Sequence, residues 1–505
     1  MPPVLIVVFD GLQPAQVVPQ LMPNLAGWAG EGVTFARNHP VFPTVTRANA
    51  ASLVTGSYPG VHGLTANNMV FREYDPYQAI AVLHSNLGAI AATGVKILLA
   101  PTLADILSQQ GREYVAIGVG TSGNAYVHNP LAAQSGGATI HPEFALPTDL
   151  HGELLERFGP WPGETLPNTP RMAHAVRILT EYILPERNPA VALIWSSEPD
   201  KSQHAAGVGS ELSNQALGEA DGQFRRILDW LEQEGRTDNT DVIVVSDHGY
   251  STITGVIAME DRLREAGFPP GNESGGVTVA PNGGSALFYA HDRDPSTCQR
   301  LAEWLMSQPW CGPVLAGQAA GSAGSPEAPV SIEGTLAASL CGCEGPRAPD
   351  IAMSFKWNSD PNDAGFRGQI SSTGGQPGQG THGSMSRHEL RNVMFARGPS
   401  FKAGIRVETP TGNIDLAPTV LHILGGNEAA GAVGAVGMNG RVLHEALKGG
   451  ENPQGIENSG EPDWTTELHN AERRVGNLVY RQQIRLCRVG ETTYLEQGSS
   501  TLGER

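Results

Sequence analysis

Three aspartates, three histidines and one threonine in this sequence have the types and spacing to hold metal ions beside a nucleophile. Asp10 closes the apolar run Val4-Leu-Ile-Val-Val-Phe9 and is followed by Gly11. Thr46 precedes the Ala-rich stretch Ala48–Thr55. A helix starting there would aim unpaired N–H groups at whatever Thr46 binds. Asp200 and His204 lie four apart, which puts both on one helical face or turn at chelating separation. Asp247 and His248 follow the apolar run Asp241–Ser246 and precede Gly249. His382 stands in a Gly-rich loop, where it would complete a ligand set. Ionised Asp with neutral His suits zinc, whereas an all-oxygen set would suit Mg²⁺ or Ca²⁺.

Taken singly, each feature has an ordinary alternative. Asp10-Gly11 can be a turn, Thr44 or Thr46 an N-cap, and Asp200 with His204 a structural pair. The ordered set is what points to chemistry. A threonine hydroxyl is a poor nucleophile at neutral pH. Coordination lowers its pKa, and two ions about 4 Å apart can stabilise attacking and leaving oxygens together.

These residues need a scaffold that collects strand ends. Val4–Phe9, residues 114–119, 190–195 and 241–246 are continuous apolar runs, as in strands buried on both faces of a parallel sheet. Helices are expected over 22–29, with Pro23 near the start, and over 98–112, with Pro101 in the first turn. Others are expected over 171–184, 210–234 and 296–307. Asp415 reads as an acid N-cap of an apolar helix. This alternation predicts an α/β fold: a mostly parallel central sheet with helices on both faces. Most of the seven residues lie just beyond strand ends, where ligands bind in such sheets.

The expected division is a catalytic core over 1–254, a cap or inserted lobe over 255–375, the rest of the core over 376–448, and a linker with a closing hairpin over 449–505. Within it, 121–150 reads as a loop excursion, 312–348 as loop, 449–463 as a polar linker, and 477–488 with 491–495 as the hairpin.

Composition bounds the partners. With 51 acidic against 33 basic residues and a formal net charge of −18, a general basic surface for a nucleic-acid polymer is not expected. A small anionic substrate remains compatible, because bound metals invert the local field. Five cysteines make an odd count without a CxxC pair, so no disulfide framework is indicated. No apolar run of about 18 residues occurs, so no membrane span is expected. The first apolar run is short and lacks a charged leader, which favours the cytoplasm. A trimmed N-terminus would leave the same sequence, so a periplasmic or secreted protein stays open. The sequence does not fix the oligomeric state.

The segments VVFDGL, FPTVTRANAASLVTGSYPGVHGLTANNM, EPDKSQHAAG, VVSDHG and GTHGS, in that order, resemble the alkaline phosphatase superfamily. The branch is similar to the nucleotide pyrophosphatase/phosphodiesterase group, with phosphonoacetate hydrolase as a near relative. The likeness covers roughly 3–255 and 378–425. It implies two zinc ions, with other divalent metals as substitutes. One would be held by Asp200, His204 and His382, and the other by Asp10, Asp247, His248 and the Thr46 oxygen. Asn67 falls where the family places an amide that holds a phosphoryl oxygen. Thr46 is preferred over Thr44 as nucleophile because it lies ten residues before Gly56, as the family's nucleophile does. The implied activity is hydrolysis of phosphodiester or pyrophosphate bonds through a phospho-threonine.

One departure bears on substrate. Arg47 stands where nucleotide-cleaving members carry an aromatic residue to stack a base. Trp195 could still stack a ring, or Arg47 could pair a carboxylate or second phosphate. A C–P bond hydrolase acting on a phosphonate is therefore the alternative activity. A non-catalytic binding protein that kept the fold is the remote one.

Overall fold

The computed structural model describes residues 1–317, 332–425, 437–449 and 461–504. Its centre is a nine-stranded mixed sheet. In chain order the strands are β1 (Val4–Phe9), β2 (Val33–Phe35), β3 (Tyr114–Gly118), β4 (Ala138–His141), β5 (Phe144–Leu146), β6 (Val191–Ser196), β7 (Asp241–Val245), β8 (Met394–Arg397) and β9 (Ile405–Val407). Their spatial order is β9-β2-β8-β7-β1-β6-β3-β4-β5. Pairing is parallel from β7 through β1, β6 and β3 to β4. β8 runs antiparallel to both β7 and β2.

β1 is the hub. Val4, Ile6 and Val8 enter one apolar cluster, while Leu5, Val7 and Phe9 enter the other. With side chains alternating across a strand, burial on both faces demands apolar residues at every position. Helix α1 (Pro23–Glu31) brings Leu25 and Trp28 to the second cluster. Helix α2 (Thr46–Thr55) lies in the first cluster through Ala48, Leu53 and Val54. Helix α3 is Asp200–Ala206. Helix α4 (Glu211–Gln233), capped by Ser210, buries Leu217, Phe224 and Ile227 against the second cluster.

A four-stranded sheet of Trp357–Pro361, Arg367–Ser372, Ser251–Val256 and Gly380–Thr381 flanks this core. It brings His382 to the site, because Ser251 pairs with Thr381. A five-stranded sheet includes Ser285–Ala290, Ile351–Phe355 and Cys311–Ala316.

Several expectations are corrected. Residues 121–150 are not a loop excursion: they form helices Ser122–His128 and Ala132–Ser135 and strands β4 and β5. The polar residues that suggested a loop, Asn124, His128 and Asn129, are buried. The stretch 312–348 contains strands Cys311–Ala316 and Leu336–Ala337; its part at 318–331 lies outside the described residues. The helix expected over 98–112 spans only Leu103–Gln109, because Thr102 and Asp105 form a capping box after Pro101. The helix expected over 171–184 is α-helical over Thr169–Ile178 and widens to π-turns over Leu179–Arg187, which contain Pro185. The closing hairpin has a third strand: Trp464–Val475, Leu478–Val489 and Thr492–Gly503 form an antiparallel meander.

Candidate metal and nucleophile site

The parallel register of β1, β6 and β7 puts three chain exits side by side. Asp10 follows β1, and its N–H donates to Ser196 O of β6 (3.2 Å). The first N–H of α3, from Asp200, donates to Asp10 O (3.0 Å). Glu198 fixes the start of α3 by accepting from the N–H groups of Ser202 (3.0 Å) and Asn168 (2.9 Å). Asp247 and His248 follow β7, and Gly11 N–H donates to Asp247 Oδ1 (3.0 Å). Gly11 has φ +70°, and a Cβ there would meet the Tyr250 ring at 2.7 Å, so both conformation and space require glycine.

The expected residues converge. His204 Nε2 lies 3.1 Å from His382 Nε2 and 3.4 Å from Asp200 Oδ1, which is 3.5 Å from His382 Nε2. Next to them, His248 Nε2 lies 3.2 Å from Asp247 Oδ2 and 3.7 Å from Asp10 Oδ1. His248 joins the two groups: its ring stacks on His382 with centroids 3.7 Å apart, and its ligand atom lies within 4.8 Å of those of Asp200 and His382.

The donor balance tests whether a cation suits this cluster. Each imidazole gives its Nδ1 proton to a backbone carbonyl: His204 to Gly380 (3.1 Å), His248 to Gly249 (3.1 Å), His382 to Thr44 (2.7 Å). The three Nε2 atoms are therefore lone pairs turned inward. Each core carboxylate has one oxygen held by a donor, Asp10 Oδ2 by Trp195 Nε1 (2.9 Å) and Asp247 Oδ1 by Gly11. The other oxygens, Asp10 Oδ1 and Asp247 Oδ2, are buried without a hydrogen-bond partner. A buried cluster of acceptors without donors needs positive charge at its centre.

Without that charge the groups disfavour ionisation. Burial, then repulsion from Asp247 and Asp200, raises the Asp10 carboxyl well above its ordinary value. Burial likewise raises Asp247. Burial, then His248 and His204, holds His382 well below the usual imidazole value. The direction for His382 fits the neutral imidazole a metal ligand requires.

Thr46 is the first residue of α2, preceded by the extended Val45. Its hydroxyl donates to the lone pair of His248 Nε2 (3.3 Å). Thr44 differs: its single hydroxyl proton is shared between Glu389 Oε2 (2.9 Å) and Ser384 O (3.0 Å), its oxygen accepts from Gly383 N–H (2.9 Å), and it is fully buried. Asn67 Oδ1 accepts from Arg47 N–H (2.9 Å), so the amide is tied to the first turn of α2. The Arg47 side chain makes no ion pair among the described residues. Burial lowers its guanidinium from the ordinary value, opposed by Asp10, Asp200 and Asp247.

Trp195 corrects an expectation. It is 0% exposed, and its indole N–H is spent on Asp10. It offers no face for a ring and acts instead to orient a carboxylate. Three supporting residues escaped sequence reasoning. Tyr250 donates to Asp200 Oδ1 (2.6 Å), and its place beside Asp247-His248-Gly249 was the available hint. Glu389 and Gln13 carry no such pattern.

Against known proteins, the chain matches the family described as type I phosphodiesterase / nucleotide pyrophosphatase over residues 4–322. The protein belongs to that family, within the alkaline phosphatase superfamily. An ectonucleotide pyrophosphatase/phosphodiesterase of Caenorhabditis elegans is 24% identical over 265 residues, 51% of this chain and 30% of the relative. A bis(5'-adenosyl)-triphosphatase of Xenopus laevis is 27% identical over 250 residues, 49% of this chain and 47% of the relative. The chain thus spans less than half the length of these relatives. Among solved structures, murine ectonucleotide pyrophosphatase/phosphodiesterase 5, in an inactive form complexed with AMP, superposes with a TM-score of 0.58 at 17% identity, covering 84% of this chain and 95% of that one. The human form gives the same TM-score at 16% identity, covering 84% and 94%. These likenesses establish the α/β fold.

Proposed function

We propose that this chain is a two-zinc hydrolase of phosphodiester and pyrophosphate bonds that works through a phospho-threonine at Thr46. The observation that carries the reading is the Thr46 hydroxyl at the start of a helix, whose hydrogen bond, at 3.3 Å, is to His248 Nε2 at the edge of an all-acceptor cluster. Asp200, His204 and His382 would hold one ion; Asp10, Asp247 and His248, with the Thr46 oxygen, the other. When bound, such ions lower the hydroxyl pKa and neutralise charge on the attacking and leaving oxygens.

The chain's own residues supply the rest. The Thr46 oxygen bonds to phosphorus as the bond to the leaving oxygen breaks. The Asn67 Nδ2 amide, positioned by the bond from Arg47 N–H to its Oδ1, and the remaining N–H groups opening α2 orient the phosphoryl oxygens. Water then cleaves the phospho-threonine and restores the hydroxyl. A small phosphoryl anion, not a nucleic-acid polymer, is the partner this site suits, and AMP, bound by the murine relative, is a natural probe.

The Arg47 guanidinium, unpaired beside the cluster, favours one second reading: a substrate with a further anionic group, including a carboxylated phosphonate cleaved at its C–P bond. We further propose a cytoplasmic protein built of the lobes 1–254, 255–375, 376–448 and 449–505. Thr252, in the first of these, pairs with Gln369, in the second. Among the described residues no helix is long and apolar enough to cross a membrane.

The test is a panel of a p-nitrophenyl phosphodiester, a phosphomonoester, ATP and phosphonoacetate, with metal analysis. Turnover of the diester and ATP, with about two zinc per chain, is expected. Turnover of phosphonoacetate alone would replace the first reading with the second, and a metal-free chain inert on all four would overturn both.

A further inference from the structure

Away from the Asp/His cluster lies a cleft of about 550 Å³ whose lining includes Gln13, Arg37, Arg387, Arg391, Arg485 and Glu496. Clefts of this size hold small molecules. In a chain of net charge −18, it gathers four guanidiniums around a single carboxylate. Arg37 pairs with Glu496, and Arg391 approaches it at 3.7 Å. Arg387 and Arg485 make no ion pair among the described residues, and the buried Nε atoms of Arg37 and Arg485 lack a hydrogen-bond partner.

The arginines are held in place. Arg37 lies over the Trp464 ring at 4.4 Å and Arg387 near Trp357 at 5.9 Å. Arg485 pairs with Gln497 and Leu486 with Leu495, so Glu496 is the extra residue of a bulge in the last strand; such a bulge re-aims a side chain, here the carboxylate that Arg37 and Arg391 face. The local field is strong enough to help hold His388 down at about 4, after burial, through Arg387, Arg367 and Arg391. Clustered like charges cost stability unless an anion answers them.

We propose that this cleft binds a small polyanion of the di- or triphosphate class, at a site separate from the Thr46 pocket. Gln13 forms the wall between the two, donating from Nε2 to Tyr250 O (2.9 Å) and His388 O (3.3 Å). This inference stands whether or not the hydrolase reading holds.

The experiment is fluorescence anisotropy of pyranine, a trisulfonate that is not a phosphoryl substrate, with the full metal-loaded chain. Binding that inorganic tripolyphosphate displaces is expected. Arg391→Glu with Arg485→Glu should weaken it about tenfold per guanidinium while diester turnover stays unchanged. If the double variant does not fold, Arg485→Gln alone carries the test, with about a tenfold loss expected. No binding, no displacement, equal affinity in the variants, or an affinity that follows metal content would each overturn the proposal.

Discussion

The Thr46 hydroxyl lies 3.3 Å from Nε2 of His248, while Thr44, two residues earlier, spends its hydroxyl on Glu389 and Ser384. Only Thr46 directs its hydroxyl at the Asp/His cluster. Thr46→Ala should lower kcat by on the order of a thousandfold or more. Thr44→Val should leave kcat near wild type but cost about 1–3 kcal/mol of stability, because Glu389 loses a buried partner. Steady-state kinetics and urea melts of the two variants check this; the opposite pattern would move the nucleophile to Thr44.

Chelation should abolish turnover and also lower the melting temperature, since Asp10 Oδ1, Asp247 Oδ2 and three imidazole lone pairs would face one another without a cation. Added zinc should restore both. A melting temperature indifferent to chelator would show that the cluster holds no metal.

Tyr250→Phe removes the proton that Asp200 Oδ1 accepts at 2.6 Å. Partners of ligands typically tune affinity rather than chemistry. Zinc titration of activity should show affinity weakened by about 10–100-fold, with kcat recovered at saturating metal. An unrecovered kcat would give Tyr250 a direct role.

Arg47→Ala should raise KM about tenfold for substrates carrying a second anionic group, by loss of a charge-assisted contact, and hardly for a simple diester. Equal effects on both would remove Arg47 from substrate selection.

Acid should destabilise the fold through His128, which is buried with both ring nitrogens unpartnered and its pKa lowered to about 3 by burial. With the folded value below the unfolded value of 6.5, the unfolded state binds more protons in between. Stability is therefore full above pH 6.5 and lost as pH falls toward 3. The loss from this group between pH 7 and pH 5 is roughly 2 kcal/mol. His128→Phe should shrink the shift of the urea midpoint between those pH values by that amount, and an unchanged shift would assign the acid sensitivity to other groups.

Much of the scaffold could be read directly because its local and global preferences agree. β1, β6 and β7 are apolar at nearly every position, which only a strand covered on both faces tolerates. α4 announces itself by Ser210 and its apolar stripe. The stretch 121–150 misled because its polar residues are buried rather than solvated. The strand Trp464–Val475 alternates half-buried and exposed residues and carries many charges. Its apolar signal is weak, and pairing with its neighbour defines it.

By itself, the sequence determined which residues could act, since Asp, His and Thr chemistry belongs to side-chain type and the strand-end motifs follow local pattern. Tertiary structure alone decided their roles. His382 reaches His248 because Ser251 pairs with Thr381. Trp195 turns from a stacking face into a hydrogen-bond donor because it is wholly enclosed. Four arginines from three distant segments, Arg37, Arg387 with Arg391, and Arg485, meet in one cleft. Pairing and burial depend on which distant segments meet, and no local pattern of residues encodes that.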